Sequence, residues 1–120
     1  IIKAEFANYY MIPYGESANN GEWVNGAGNE FWDTVRQTLG DINIIAEDLG
    51  GEDDARVIEL LKHTNFPNMK ILQFGFNGDM TNIYLPKNYP YNCVCYTGTH
   101  DNDTALGWYN KASTKEKIGL

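Results

Sequence analysis

The chain has 120 residues, 42% of them hydrophobic and 13% aromatic, a length that fits one ordinary domain with a modest core. A formal net charge of −7 sets an acidic surface against any phosphate backbone and argues against a nucleic-acid partner. No apolar run approaches the roughly 20 residues needed to span a bilayer, and no basic segment leads into an apolar one as in a signal peptide, so no membrane partner is expected and the cytoplasm is the expected location.

The chain opens in an apolar stretch, IIKAEFANYYMIP. The first clear periodic segment is NEFWDTVRQTLG (29–40), where Phe31, Trp32, Val35 and Leu39 fall at helical spacing and Gly40 suits a C-cap. INIIAEDLGG (42–51) is a short apolar run that ends in acid and glycine. EDDARVIELLKHT (52–64) carries a helical stripe of Val57, Ile58, Leu60 and Leu61, with Glu52, Asp53 and Asp54 gathered in its first turn. MKILQFGF (69–76) and NCVCYTGT (92–99) are two further apolar runs, and a helix follows the last. All three runs are continuous rather than alternating, which predicts strands covered on both faces. The order helix, strand, helix, strand, loop, strand, helix is the alternation of a parallel α/β protein.

Two features go beyond a complete small domain. NGDMTNIYLPKNYPYN (77–92) joins two strands without a helix, and loops of that length tend to carry function. Both chain ends fall in structured segments without caps, and about three parallel strands do not close a unit. The expectation is a partial TIM (β/α)8 barrel, about three parallel strands with intervening helices, whose exposed edges favour self-association. Cys93 and Cys95 stand two apart on a strand, without the geometry for a mutual bridge and without further ligands at zinc-like spacing. They are expected to be buried, reduced and unligated. No metal and no cofactor is implied.

The polar residues cluster where the strands end. Glu47 and Asp48 follow the first, Gln73 closes the second, and His100, Asp101 and Asp103 follow the third. In a parallel barrel that end holds the chemistry, and acids from different strands are expected to converge on one cleft. Paired carboxylates there suit glycosidic bond chemistry. The pattern alone leaves a second reading open: an acid after a strand is also the usual helix N-cap, a role open to Asp48 and Asp103, and a His beside an Asp also forms an ordinary structural pair. Trp23, Tyr84, Tyr89 and Tyr91 are amphipathic rings that either stack on sugar faces or pack their loops. Trp32 and Trp108 sit on helical stretches and read as core. His63 reads as a surface residue favoured by a helix C-terminus, and Met11, Met69 and Met80 as packing.

Read together, IIAEDLG, FPNMKILQFGF, YLPKNYP, YTGTHDNDTALGWY and YYMIPYGESANNGEWVNGAG resemble the 4-alpha-glucanotransferases, the amylomaltase or disproportionating enzymes of glycoside hydrolase family 77 in the α-amylase superfamily. The resemblance covers nearly the whole chain. AEDLG and GTHDNDT, in this order around a PNMKILQF-like strand, make it specific. It implies a (β/α)8 catalytic barrel to which residues 1–120 contribute approximately strands five to seven and their flanking loops. The activity it implies is retaining transfer of α-1,4-glucan segments between maltooligosaccharide or starch chains, with such a glucan as partner.

By the same resemblance Glu47 matches the general acid/base, Asp101 the transition-state stabiliser and His100 the histidine beside it on the donor sugar. Asp48, Asp103, Trp23, Tyr84 and Tyr89 are the further candidates for substrate contact. Asn77 and Lys87 stand where the family often has Asp and His. A retaining enzyme also needs a carboxylate nucleophile about 5–5.5 Å from its acid/base. The family carries it in an R-I-D-H-F-like motif at the end of strand four. Here the first acid is Glu5 and no such motif precedes it, so the nucleophile is expected to be missing from this chain, and the chain alone to be inactive. The alternative is a carbohydrate-binding module or an inactive structural fragment derived from such a barrel.

Overall fold

The computed structural model describes residues 2–3, 6–51 and 53–118. Glu5 and Glu52, named above, lie outside the described residues. The chain divides into two compact units, 1–68 and 69–120.

In the first unit, α1 (Gly28–Leu39) ends where the sequence expects: Gly40 takes φ 73°, and its N–H returns to the Arg36 carbonyl. A left-handed residue costs glycine little, which is why the helix stops there. α2 (Ala55–Thr64) starts on Asp54, whose carboxylate accepts from the Arg56 N–H, and ends on Asn65 at φ 54°. The acids before the helix thus supply a cap. Trp32 on α1 is buried, with Phe6 and Phe66 each packed against it at 5.0 Å between ring centroids. The helices are also tied by polar contacts. Arg36 Nη2 donates to the Thr64 carbonyl at 2.8 Å, and His63 Nε2 lies 2.7 Å from Asp33 Oδ1. His63 therefore has a specific partner on the neighbouring helix.

The strands of this unit are short. β1 (Ile2–Lys3) pairs in parallel with β4 (Ala46–Glu47), Lys3 opposite Glu47, and Ala46 of β4 pairs in parallel with Asn68, the first residue of β5 (Asn68–Ile71). The expected strand over 42–51 is thus reduced to two residues. Beyond Glu47 the backbone turns, with the Gly51 N–H donating to the Asp48 carbonyl at 3.0 Å.

An antiparallel hairpin, β2 (Asn8–Met11) with β3 (Glu22–Asn25), sets Tyr10 opposite Trp23. Neither β1 nor this hairpin was legible, because no two-residue turn signal joins the arms. The connection is held instead by the Tyr10 hydroxyl, 2.8 Å from the Ala18 carbonyl and 3.0 Å from that of Gly21. A Cβ at position 21 would come within 2.5 Å of the Tyr10 ring, so glycine is required there.

In the second unit, β5 runs on into a single 3-10 turn, Leu72–Phe74, and its sheet neighbour is β6 (Cys93–Tyr96). The strand expected over 69–76 thus ends early, where the Gly75 N–H closes back on the Leu72 carbonyl at 3.1 Å. Met69, Lys70 and Ile71 are all buried, as a strand covered on both faces requires. β6 departs from that expectation. It is an outer strand of the sheet order, with Cys93 half-buried and Cys95 exposed, so the two thiols are not core residues. α3 (Ala105–Lys111) sets Trp108 against Phe76, and α4 (Thr114–Ile118) follows.

The loop over 77–92 has no helix beyond one 3-10 turn at Pro86–Asn88. Its asparagines hold it. Asn77 Oδ1 accepts from the Asp79 N–H, Asn82 Oδ1 from the Tyr84 N–H, and Asn88 Nδ2 donates to the carbonyls of Met80 and Asn82. These are side chains doing the turn work that a helix ladder would otherwise do. No described helix is long and apolar enough to cross a membrane.

Candidate functional site

Glu47 is the last residue of β4 and is half-buried. It and Asp48 border a mainly apolar cavity walled by Trp32, Val57, Leu60 and Phe66. Asp48 is 4% exposed, and its Oδ2 accepts a hydrogen bond from Asn68 Nδ2 at 3.0 Å. Its carbonyl closes the turn to Gly51. A carboxylate engaged in this way is placed to hold the segment that carries Glu47. Little of Asp48 is exposed, and this carboxylate oxygen is engaged within the first unit.

The second group lies after β6. Thr99 donates from both its N–H and its hydroxyl to Asn102 Oδ1, each at 2.9 Å, while the Asn102 N–H returns to the Thr99 carbonyl. This closed turn lifts His100 and Asp101 to its tip. Their side chains are 91% and 80% exposed, and His100 Nε2 sits 3.3 Å from Asp101 Oδ2. Both side chains are open to solvent. The signal for the turn is a threonine three residues before an asparagine, in THDN.

Asp103 belongs to the helix instead. Its carboxylate takes the Lys111 ammonium at 2.7 Å and the Thr104 N–H at 2.8 Å. The Lys111 hydrogen bond, above all, holds its carboxyl below the usual carboxylate range. Any side chain at Gly107 would collide with that carboxylate. Asp103 thus braces the start of the helix against its last residue. Gln73 lies beneath this loop and donates from Nε2 to the Asp103 carbonyl at 2.9 Å.

The aromatic candidates separate. Trp23 is 62% exposed and edge-on to Tyr10, leaving a ring face open on the hairpin. Tyr84 is buried, packed against Phe74, with the Lys70 ammonium 5.2 Å from its ring centroid. Its ring is thus packed within the second unit. Tyr89 is half-buried and its hydroxyl accepts from the Cys95 thiol at 3.4 Å, with burial foremost raising its pKa. Tyr91 is fully exposed. Among the described residues no group of His, Cys, Asp or Glu could hold a metal ion.

Comparison with known proteins gives a consistent picture. A family model described as 4-alpha-glucanotransferase matches residues 4–119. A 4-alpha-glucanotransferase of Clostridium butyricum is 49% identical over 113 residues, covering 93% of this chain and 23% of that protein. One from Streptococcus pneumoniae serotype 4 is 53% identical over 105 residues, covering 87% of this chain and 21% of that protein. Among solved structures, an amylomaltase from Streptococcus agalactiae in complex with acarbose superposes with a TM-score of 0.86 at 38% identity. That match covers 97% of this chain and 24% of the amylomaltase. The chain thus spans about a fifth to a quarter of the length of the relatives it matches.

Proposed function

The chain belongs to the 4-alpha-glucanotransferase family, and from that premise we propose that it supplies approximately strands five to seven of a (β/α)8 barrel that transfers α-1,4-glucan segments between maltooligosaccharide or starch chains. The observation that carries the reading is Glu47, which closes a strand paired in parallel on both sides, the position at which such barrels hold their chemistry.

In this reading Glu47 protonates the departing glycosidic oxygen and then takes the proton from the incoming sugar hydroxyl. Asp101 accepts hydrogen bonds from the hydroxyls of the donor ring, steadying positive charge as it develops at the anomeric carbon, and His100 assists on the same ring. The open face of Trp23 stacks on a further glucose unit, and Tyr89 lines the approach. The covalent intermediate forms on a carboxylate outside residues 1–120. Cys93 and Cys95, neither in a disulfide, suit a reducing compartment, in keeping with the cytoplasm. The outer strand β6 is the edge through which copies would associate.

Glu47→Gln in the full-length transferase tests this. Glucose release from maltotriose should fall about 10²–10⁴-fold; unchanged turnover would assign proton transfer to another group. A carbohydrate-binding role without turnover is the second reading, favoured by the exposed aromatic ring of Trp23. It requires the unsubstituted full-length protein to bind maltotriose and release no glucose.

A further inference from the structure

Asn68 has no part in the roles assigned above, yet it touches the segment that carries the proposed acid/base. The parallel register sets it opposite Ala46, the residue just before Glu47. Its Nδ2 donates to Asp48 Oδ2 at 3.0 Å, and Asp48 is the residue just after Glu47. Glu47 is therefore bracketed on both sides by contacts with one asparagine: a strand pairing before it and a side-chain bond after it.

The state of the amide is informative. Asn68 Oδ1 is buried and has no partner among the described residues. A buried acceptor left unmet is unfavourable. Turning the amide over would not relieve this, because Oδ1 would then face a carboxylate oxygen. The amide has one tenable orientation, and the Asp48 carboxylate dictates it. In that orientation Nδ2 holds Asp48 inward while the Gly51 N–H holds the Asp48 carbonyl, which fixes both the side chain and the backbone of the residue after Glu47.

We propose that Asn68 is a positioning residue for Glu47, its amide locked on Asp48 so that the backbone bearing the acid/base cannot rock at the strand end. The inference rests on the reading of Glu47 given above. It concerns a group that meets neither sugar nor proton, so its removal acts on turnover and leaves substrate binding alone.

The test uses the full-length transferase with maltotriose. Asn68→Ala should lower kcat by roughly 10–100-fold, the scale of loss for a catalytic group displaced by about an ångström, with KM within about twofold of the unsubstituted enzyme. Asn68→Asp, almost isosteric, supplies the second readout and serves where the alanine variant does not fold. Two carboxylates 3.0 Å apart cannot both ionise comfortably and would share one proton. With that proton the Asp48 bond is kept; as pH rises it is lost and the pair repels. The aspartate variant should therefore approach normal turnover at acidic pH and lose it earlier than the unsubstituted enzyme on the alkaline side. A lowered melting temperature with kcat and pH profile unchanged in both variants would make Asn68 merely structural and overturn the proposal. A Glu47→Gln enzyme with full turnover would overturn the reading of Glu47 itself and this inference with it. An inactive Glu47→Gln enzyme beside a flat Asn68→Asp profile would overturn this inference alone.

Discussion

Asn8 on β2 reaches Asp54 at the start of α2, Nδ2 to Oδ2 at 2.8 Å. The same carboxylate takes the Arg56 N–H at 2.8 Å and its guanidinium at 2.9 Å, while Arg56 Nη1 extends to Asn25 Oδ1 on β3 at 3.4 Å. One helix cap thus serves as the clasp that binds both arms of the hairpin, and with them Trp23, to the first unit.

This clasp should be sensitive to acid. The Arg56 hydrogen bonds, foremost, lower the Asp54 pKa from 3.8 to about 2. A carboxylate with a depressed folded pKa contributes stability that is present above its unfolded value and is lost as pH falls through its folded value. Amides of α2 and β2 should therefore lose protection, measured against their intrinsic exchange rates, between about pH 4 and pH 2. Asp54→Asn should remove that acid-side change and speed exchange at neutral pH. Hydrogen exchange in α2 that does not respond to the substitution would show that the cap is not what holds this helix.

The core of the second unit makes a different demand. Ile71 is fully buried at the end of β5. Ile71→Ala removes three carbons from a site with no access to water and leaves a cavity, which costs about 2–5 kcal/mol. Ile71→Val should cost roughly 1 kcal/mol. The midpoint of urea unfolding of the full-length protein measures both. Equal midpoints for the two variants would mean that the site collapses around the smaller side chain.

What the sequence made legible follows from where its signals are local. The two helices over 28–39 and 55–64 were readable because spacing, cap and terminator all lie within one segment, with Gly40 and Asn65 as stops. The strand ends were not, since pairing at Ala46 is decided by Pro67 and Asn68, some twenty residues on, with the Ala46 N–H donating to the Pro67 carbonyl. The acids of the site were found as types but not as roles. Asp48 and Asp103 look alike in sequence to Glu47 and Asp101, and only partners elsewhere in the chain, Asn68 and Lys111, set their carboxylates apart. The burial of Tyr84 is hidden in the sequence for a similar reason. Its burial depends on Gly75, where a Cβ would come within 2.6 Å of the Tyr84 carbonyl, so the loop can lie down on the strand only because that position is bare.

The two thiols should differ in reactivity. Neither is in a disulfide, and Cys95 is exposed while Cys93 is half-buried. Alkylation under native conditions followed by peptide mass analysis should label Cys95 well before Cys93, and both should label after unfolding without a reductant. A chain that takes up no label when unfolded would contain a disulfide, contrary to the reading of this strand. Tyr89 adds a second probe. Its hydroxyl accepts the Cys95 thiol hydrogen bond, so Tyr89→Phe should speed labelling at Cys95 without altering Cys93.

The last prediction concerns residues 1–120 by themselves. Retaining transfer passes through a covalent glycosyl-enzyme, formed when a carboxylate attacks the anomeric carbon as the acid/base gives its proton to the leaving oxygen. Glu47 is proposed to serve the second of these acts. In the proposed reading the attacking carboxylate is held elsewhere in the transferase, so the proton has no bond-breaking step to assist. The expected result is no glucose release from maltotriose by the 120-residue chain over hours, at concentrations where the full-length enzyme is complete in minutes. Adding the remainder of the transferase as a separate polypeptide should restore release, and adding it to a chain carrying Glu47→Gln should not. Release by the 120 residues alone would place a competent nucleophile among their own acids, and the assignment of roles to Glu47 and Asp101 would have to be redrawn around it.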